Sequence, residues 1–389
     1  MADVTESSLK RISSRDLRLD FLRGFALLLV LVDHVEDHSG VRWLRFYTLA
    51  SNGLSDAAEL FVFLSGFVFG RAYTKRMDEE GFLACQQKAI RRGLTVYLSF
   101  VVTTLIAIAV GISFGPIAPV LIDELRLSEG TLKWVLWTLP MYYQVYGLDV
   151  LAFYAIITPF APAMLSGLRR TPLIAWMMSI ILYLGAQAFP ELQLPSHRVN
   201  LGWFFNPFAW QFLFFIGIYF GTLRSRLSCS EILRFTILVL GTGFLFFCLL
   251  IRRNSLGVPW AISLDDDVIR GIISFSNKNS LGPIRLIHFL VLAFMGTQVL
   301  PDPSAPIWRS KFAAPFICCG QHSLAVYSFG TILMFLSCPA FSLLGTSPAI
   351  VVMVITDFMI LSALFAYGLQ CWQKKRHEDR NNKIRANPG

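Results

Sequence analysis

Residues 20–40 read DFLRGFALLLVLVDHVEDHSG: a helix-length apolar run that carries an arginine and ends among aspartates and histidines. In a membrane each such group costs about 2.5–3.5 kcal/mol on insertion scales, so ionisable residues inside a span face the bundle interior and mark a site or pathway. Arg23 and His34 are eleven positions apart, about 1100° at 100° per residue, which is three turns plus about 20°. Both therefore project from one face, about 16 Å apart along the axis at 1.5 Å per residue. Asp20 lies one turn before Arg23, placed to pair with it. Asp33 and His34 also fit an interfacial reading, polar groups at a helix end.

The rest of the chain supplies the membrane context. Its 389 residues are 55% hydrophobic, 14% aromatic and only 15% charged, against roughly 25% charged in an average soluble domain, and the mean hydropathy is +0.57. The net charge of +9 comes from short clusters between apolar runs, which argues for a membrane surface and against a nucleic-acid partner. Windows of about 20 residues predict an all-α, polytopic membrane bundle of about ten spans, near 17–36, 55–73, 92–114, 148–166, 172–189, 207–223, 232–251, 284–300, 316–338 and 348–371. Alternate loops carry 22 Lys and Arg on one side against 9 on the other, so both termini are expected in the cytoplasm and the longer loops 115–147, 190–206 and 252–283 outside. The expected organisation is a cytoplasmic segment 1–16, a transmembrane domain 17–372 and a basic tail 373–389. The apolar run after Arg18 lacks a small-residue cleavage site and reads as a retained span. Seven cysteines, with none in those outer loops, imply no disulfide framework.

The second span begins SDAAELFVFLSGF. Asp56 and Glu59 sit in its first turn, and because this helix runs antiparallel to the first, Glu59 is expected at the depth of His34. A carboxylate there would accept one imidazole N–H and leave the other nitrogen as a base. Asp56 alone also reads as a helix N-cap, and Asn206 before Pro207 as N-cap and N1. The acidic run Asp265 to Asp267 reads as a solvated loop, and no Cys or His cluster has zinc spacing, so no metal is expected.

RLDFLRGFALLLVLVDH carries an Arg, ten residues, His pattern that is similar to the membrane acyltransferases of acyltransferase family 3. With SDAAELFVFLSG, WFFNPFAWQFLF, RLIHFLVLAF and GQHSLAVYSFG in order, residues 15–335 resemble the OpgC family, the succinyltransferases of osmoregulated periplasmic glucans. Where a proline is expected in the fourth span, this chain has Ala152. The resemblance implies an enzyme of the bacterial inner membrane that takes an acyl group from a cytoplasmic acyl-CoA, succinyl-CoA for this family, and passes it to hydroxyls of a periplasmic glucan or other carbohydrate, with no permanently bound cofactor.

Under it, His34 is the catalytic base, with Glu59 and Asp33 beside it. Arg23, Lys88, Arg91, Arg92 and His322 lie on the donor side. Asp56, Arg285, His288, Trp203 and Trp210 lie on the acceptor or acyl-group side. For several of these a bland role is open as well: lipid contact for Lys88, Arg91 and Arg92, a membrane-interface belt for the tryptophans, an interfacial pair for Arg285 and His288. Two alternatives also stay open, an acetyltransferase for another envelope polysaccharide and a proton-coupled transporter or flippase.

Overall fold

The computed structural model describes residues 16–41, 48–198, 202–223, 230–256 and 265–386. The amino-terminal segment up to residue 15, with Lys10, Arg11 and Arg15, lies outside the described residues, as do Arg42, Arg45, Arg224 and Arg226 of the charge pattern. Among the described residues all regular structure is helical: α1 Leu17–Ser39, α2 Leu49–Asn52, α3 Ala57–Phe114, α4 Val120–Glu124, α5 Thr131–Thr138, α6 Asp149–Arg170, α7 Pro172–Ala188, α8 Pro207–Thr222, α9 Glu231–Ser255, α10 Asp266–Ser274, α11 Pro283–Val299, α12 Ala313–Gln321, α13 Ser323–Leu344 and α14 Pro348–Ala386, with 3₁₀ turns at Leu127–Glu129 and Pro306–Arg309. Among the described residues, five helices are long and apolar enough to cross a membrane: α3, α6, α9, α13 and the Pro348–Arg376 part of α14. Helices α7, α8 and α11 are apolar but shorter. Helix α1 has the length, 23 residues, but carries Asp20, Arg23, Asp33, Glu36 and Asp37 within it.

Two expected spans are the two arms of one helical stretch that is interrupted at Gly81. Residues 55–73 and 92–114 join in α3, bent at Gly81 (φ 81°), a left-handed backbone angle that glycine adopts without a Cβ penalty. Up to Gly81 the stretch between them is helical because it is rich in good helix formers and carries the i,i+4 pairs Lys75–Glu79 (3.6 Å) and Arg76–Glu80 (2.9 Å). Conversely, the span expected at 316–338 breaks at His322 into α12 and α13. Caps follow the residue types. Asp16 begins α1 and Asn206 with Pro207 begins α8. Asp265 caps α10, and Asp267 pairs with Arg270, so the acidic run is a helix start.

Glycines set how closely the central helices approach. Gly66 and Gly70 of α3 meet Gly217 and Gly221 of α8, two small-xxx-small spacings facing one another. A Cβ on Gly66 would stand 2.2 Å from the Phe214 carbonyl oxygen, and one on Gly221 would stand 2.1 Å from that of Phe67. The same relation locks α12 onto α1, where a Cβ on Gly24 would reach the Phe316 oxygen at 1.8 Å and one on Gly320 the Asp20 oxygen at 1.8 Å. In both pairs the obstacle is backbone, which cannot step aside as a side chain can. The second crossing fixes the rotation of α1 and with it the direction of the Arg23–His34 stripe.

Gly217→Ala is expected to lower the thermal unfolding midpoint of the detergent-solubilised protein, by a destabilisation of about 1–3 kcal/mol from overpacking. Gly243→Ala, where no atom lies within 4 Å of the added carbon, is the control and should leave the midpoint in place.

Candidate functional site

The stripe on α1 faces a cavity of about 110 Å³ to which Leu27, Val30, Asp33, His34 and Asp37 contribute. Arg23 lies one turn below Leu27, in a half-buried position. Asp56, Asp149, Lys278 and Tyr146 supply the other polar walls, and Phe61, Phe204 and Phe205 the apolar ones. His34 also borders a second, narrower slot of about 20 Å³ with Leu27 and Leu31, closed by Val326, Gly330 and Met334 of α13 and Ser362 of α14. Tyr327 lines both spaces.

His34 Nδ1 lies 3.0 Å from the Tyr146 hydroxyl, whose O–H donates to Asp37 Oδ2 at 2.9 Å. The two rings meet edge to face with centroids 4.8 Å apart. Tyr146 comes from the segment before α6. Gly147 turns there with φ 79°, and its carbonyl accepts the Tyr327 hydroxyl. Asp33 accepts from the Thr48 hydroxyl at 2.7 Å.

Glu59 is not the imidazole's partner. It is fully buried and closes a capping box, accepting the Asp56 N–H at 2.7 Å while Asp56 accepts the Ala58 N–H at 2.9 Å. Its other oxygen stands 3.0 Å from Arg285 Nε. Asp56 is both the helix cap of the bland reading and a cavity wall, where it meets Lys278 Nζ at 2.6 Å and Arg285 at 3.2 Å. The acidic start of α3 is thus met by two cations, as carboxylates out of water require. Asp149 is met in the same way by Arg198 at 3.0 Å.

Other expected positions fall elsewhere. Arg285 and His288 share a face of α11 but are buried against α3 and its entry turn. His288 Nδ1 lies 2.8 Å from the Ser55 hydroxyl, and its ring sits where a Cβ on Gly53 would fall. Neither lines the cavity, and the cation that does is Lys278. Trp203 and Trp210 are in the core, not at a sugar face or an interface belt: their indole N–H groups bond the carbonyls of Pro195 and of Lys278 and Asn279. Their neighbours Phe204 and Phe205 hold the cavity wall instead. Lys88, Arg91 and Arg92 are exposed on α3 beyond the Gly81 bend, and His322 sits half-buried at the α12–α13 break. One turn beyond His34, His38 bridges α1 to α13 and α4. Its Nδ1 faces the Met334 carbonyl at 3.1 Å and Cys338 Sγ at 3.3 Å, while Nε2 faces Glu124 at 3.2 Å. Cysteine and carboxylate thus meet opposite edges of the ring, an arrangement that links helices.

Sequence reasoning missed Asp37, Tyr146, Asp149, Lys278, Phe204 and Phe205. For Asp37 a signal was present, since it follows His34 by three residues on the same helical face. For the others the contact spans more than a hundred residues of chain, and no local pattern announces it.

A family model described as OpgC protein matches residues 15–376, nearly the whole chain, so the chain belongs to that family. No curated protein and no solved structure matches it. Membership suggests a membrane acyltransferase acting on glucans.

Two outcomes follow from the charge arrangement. Arg285→Met leaves Glu59 buried without its cation and should cost about 3–5 kcal/mol in denaturant unfolding in detergent, part of which Glu59→Gln in the same chain should restore. His197, packed against Tyr143 and Trp134 in the segment between α7 and α8, is pushed by burial down to about 4. Its neutral form is the one the fold accepts, so its contribution is whole above about pH 6.5 and is lost as pH falls toward 4. Hydrogen exchange of segment 142–146 should accelerate over that window in the wild type but not in His197→Phe.

Proposed function

We propose that this member of the OpgC family transfers an acyl group, succinyl in the first instance, from a cytoplasmic acyl-CoA to a hydroxyl of a periplasmic glucan across the bacterial inner membrane, with His34 as general base. The observation that carries the reading is that one imidazole borders two spaces, a cavity whose walls carry carboxylates and an ammonium and a narrower apolar slot along α1.

A sugar hydroxyl is a weak nucleophile until a base takes its proton, and a neutral imidazole is suited to that near neutral pH. In the polar cavity the carboxylates of Asp33 and Asp56 and the Lys278 ammonium offer hydrogen bonds to sugar hydroxyls, while Phe204 and Phe205 offer apolar faces to the C–H side of a pyranose. The thioester reaches His34 from the side of the slot, whose Leu, Val and Met walls must part to admit it, since about 20 Å³ holds roughly one water. His34 accepts the hydroxyl proton as the oxygen adds to the thioester carbonyl. The tetrahedral intermediate collapses with loss of the thiolate, and the imidazolium returns the proton to sulfur. Ester and free thiol are formed, and the base is regenerated. Arg23, lower on the same stripe, faces the donor's polar arm. Lys88, Arg91 and Arg92 can hold its phosphates by charge-assisted hydrogen bonds, with His322 on the same side. Glu59 serves by holding Arg285 and the start of α3 rather than by touching substrate. Membrane lipid surrounds the bundle. The reaction calls for no permanently bound cofactor.

Mass spectrometry of periplasmic glucans from cells lacking the protein, complemented with wild type or His34→Ala, tests this. Wild type should restore an acidic acyl substituent, and the variant should reduce it about 100-fold or more. An acetyl-sized neutral substituent would identify the smaller acyl group. Equal substitution by both chains would remove His34 from the mechanism.

A further inference from the structure

A neutral imidazole carries one ring proton, and which nitrogen holds it is decided by what the other groups around it can accept or give. As a carboxylate, Asp37 can only accept, so the Tyr146 hydrogen is directed at Oδ2, 2.9 Å away. The phenol has no second hydrogen to offer. Its oxygen, 3.0 Å from His34 Nδ1, is therefore left to accept, and the imidazole proton must lie on Nδ1. With the proton on Nε2 instead, two acceptors, Nδ1 at 3.0 Å and Asp37 Oδ2 at 2.9 Å, would face a phenol with one hydrogen.

We propose that Asp37, acting through Tyr146, holds His34 in the Nδ1–H tautomer and so keeps Nε2 as the basic nitrogen. This rests on the reading of His34 as the base. Tyr146 and Asp37 are positioning residues in it: neither exchanges a proton with the substrate. Helix α1 supplies both ends of the chain, since His34 and Asp37 are one turn apart, and the turn at Gly147, tied to Tyr327, brings the phenol between them. The arrangement does a second thing during transfer. When Nε2 takes the hydroxyl proton the ring becomes cationic, and its Nδ1–H bond to the phenol strengthens because the phenol oxygen is itself polarised by the carboxylate behind it. When Nε2 gives the proton to the thiolate, the ring returns to its starting tautomer without any rotation.

The test uses the full chain in detergent with ¹⁵N-labelled histidine rings, the His34 signals being assigned by their loss in His34→Gln. In the wild type, Nδ1 should give the protonated and Nε2 the unprotonated shift. In Tyr146→Phe and in Asp37→Ala, which frees the phenol hydrogen for Nδ1, the population should move to the Nε2–H tautomer. In the transfer assay both variants should lose about tenfold or more in kcat, with both KM values within about twofold of wild type. An Nε2–H tautomer in the wild type overturns the proposal. So does a Tyr146→Phe chain with unchanged tautomer and kcat. A wild type that shows the Nδ1–H tautomer but transfers no acyl group would refute the catalytic reading instead and leave the tautomer assignment standing.

Discussion

A carboxylate that water cannot reach must find its counter-charge inside the protein, and the start of α3 is built around that demand. Asp56 and Glu59 are held by Lys278 and Arg285, which come from the loop before α11 and from α11 itself, more than two hundred residues further along the chain. These contacts pin the α3 entry turn, and with it Asp56, to the wall of the cavity. Separating Arg285 from Glu59 leaves a buried charge, whose desolvation is several kcal/mol. The group of four therefore specifies a position as well as a stability. The cavity inherits one of its polar walls from it, and His34 faces that cavity from the other side.

The second constraint is steric. Helix α1 could turn about its own axis and present lipid with an imidazole, were it not for Gly24 and Gly320, whose missing side chains let α1 and α12 touch backbone to backbone. With that contact made, Leu27, Val30, His34 and Asp37 face inward together. Gly66, Gly70, Gly217 and Gly221 do the same for α3 and α8, so small residues fix helix rotation where hydrophobic burial gives little direction within a membrane.

The sequence made part of this legible. The helical class, the positions of most apolar helices within a few residues and the shared face of Arg23 and His34 follow from hydropathy and a period of 3.6, which are local properties. The caps at Asp56 and Asn206 were readable for the same reason. What failed was partnership. Glu59 is expected from the sequence at the depth of His34, yet depth says nothing of azimuth, and Arg285 claims it. The pairing that does occur runs through Tyr146, 112 residues away in a segment of short helices and turns. The tryptophans were named for their chemistry, while the core took them and left the neighbouring phenylalanines at the wall. The helical character of residues 74–91 on either side of Gly81 was missed because the charges there read as a loop, although their spacing was that of a helix.

The slot beside His34 has an implication for the cell that would house it. At about 20 Å³ it has space for roughly one water, between leucine, valine and methionine side chains. A bacterium that stores energy as a voltage and a proton gradient cannot tolerate a standing aqueous wire through its envelope. On the proposed reading the chain brings a bulky thioester to a hydroxyl on the far side, and a slot this narrow between apolar side chains would leave such a wire little room, so that group transfer and electrical insulation would coexist in a single fold.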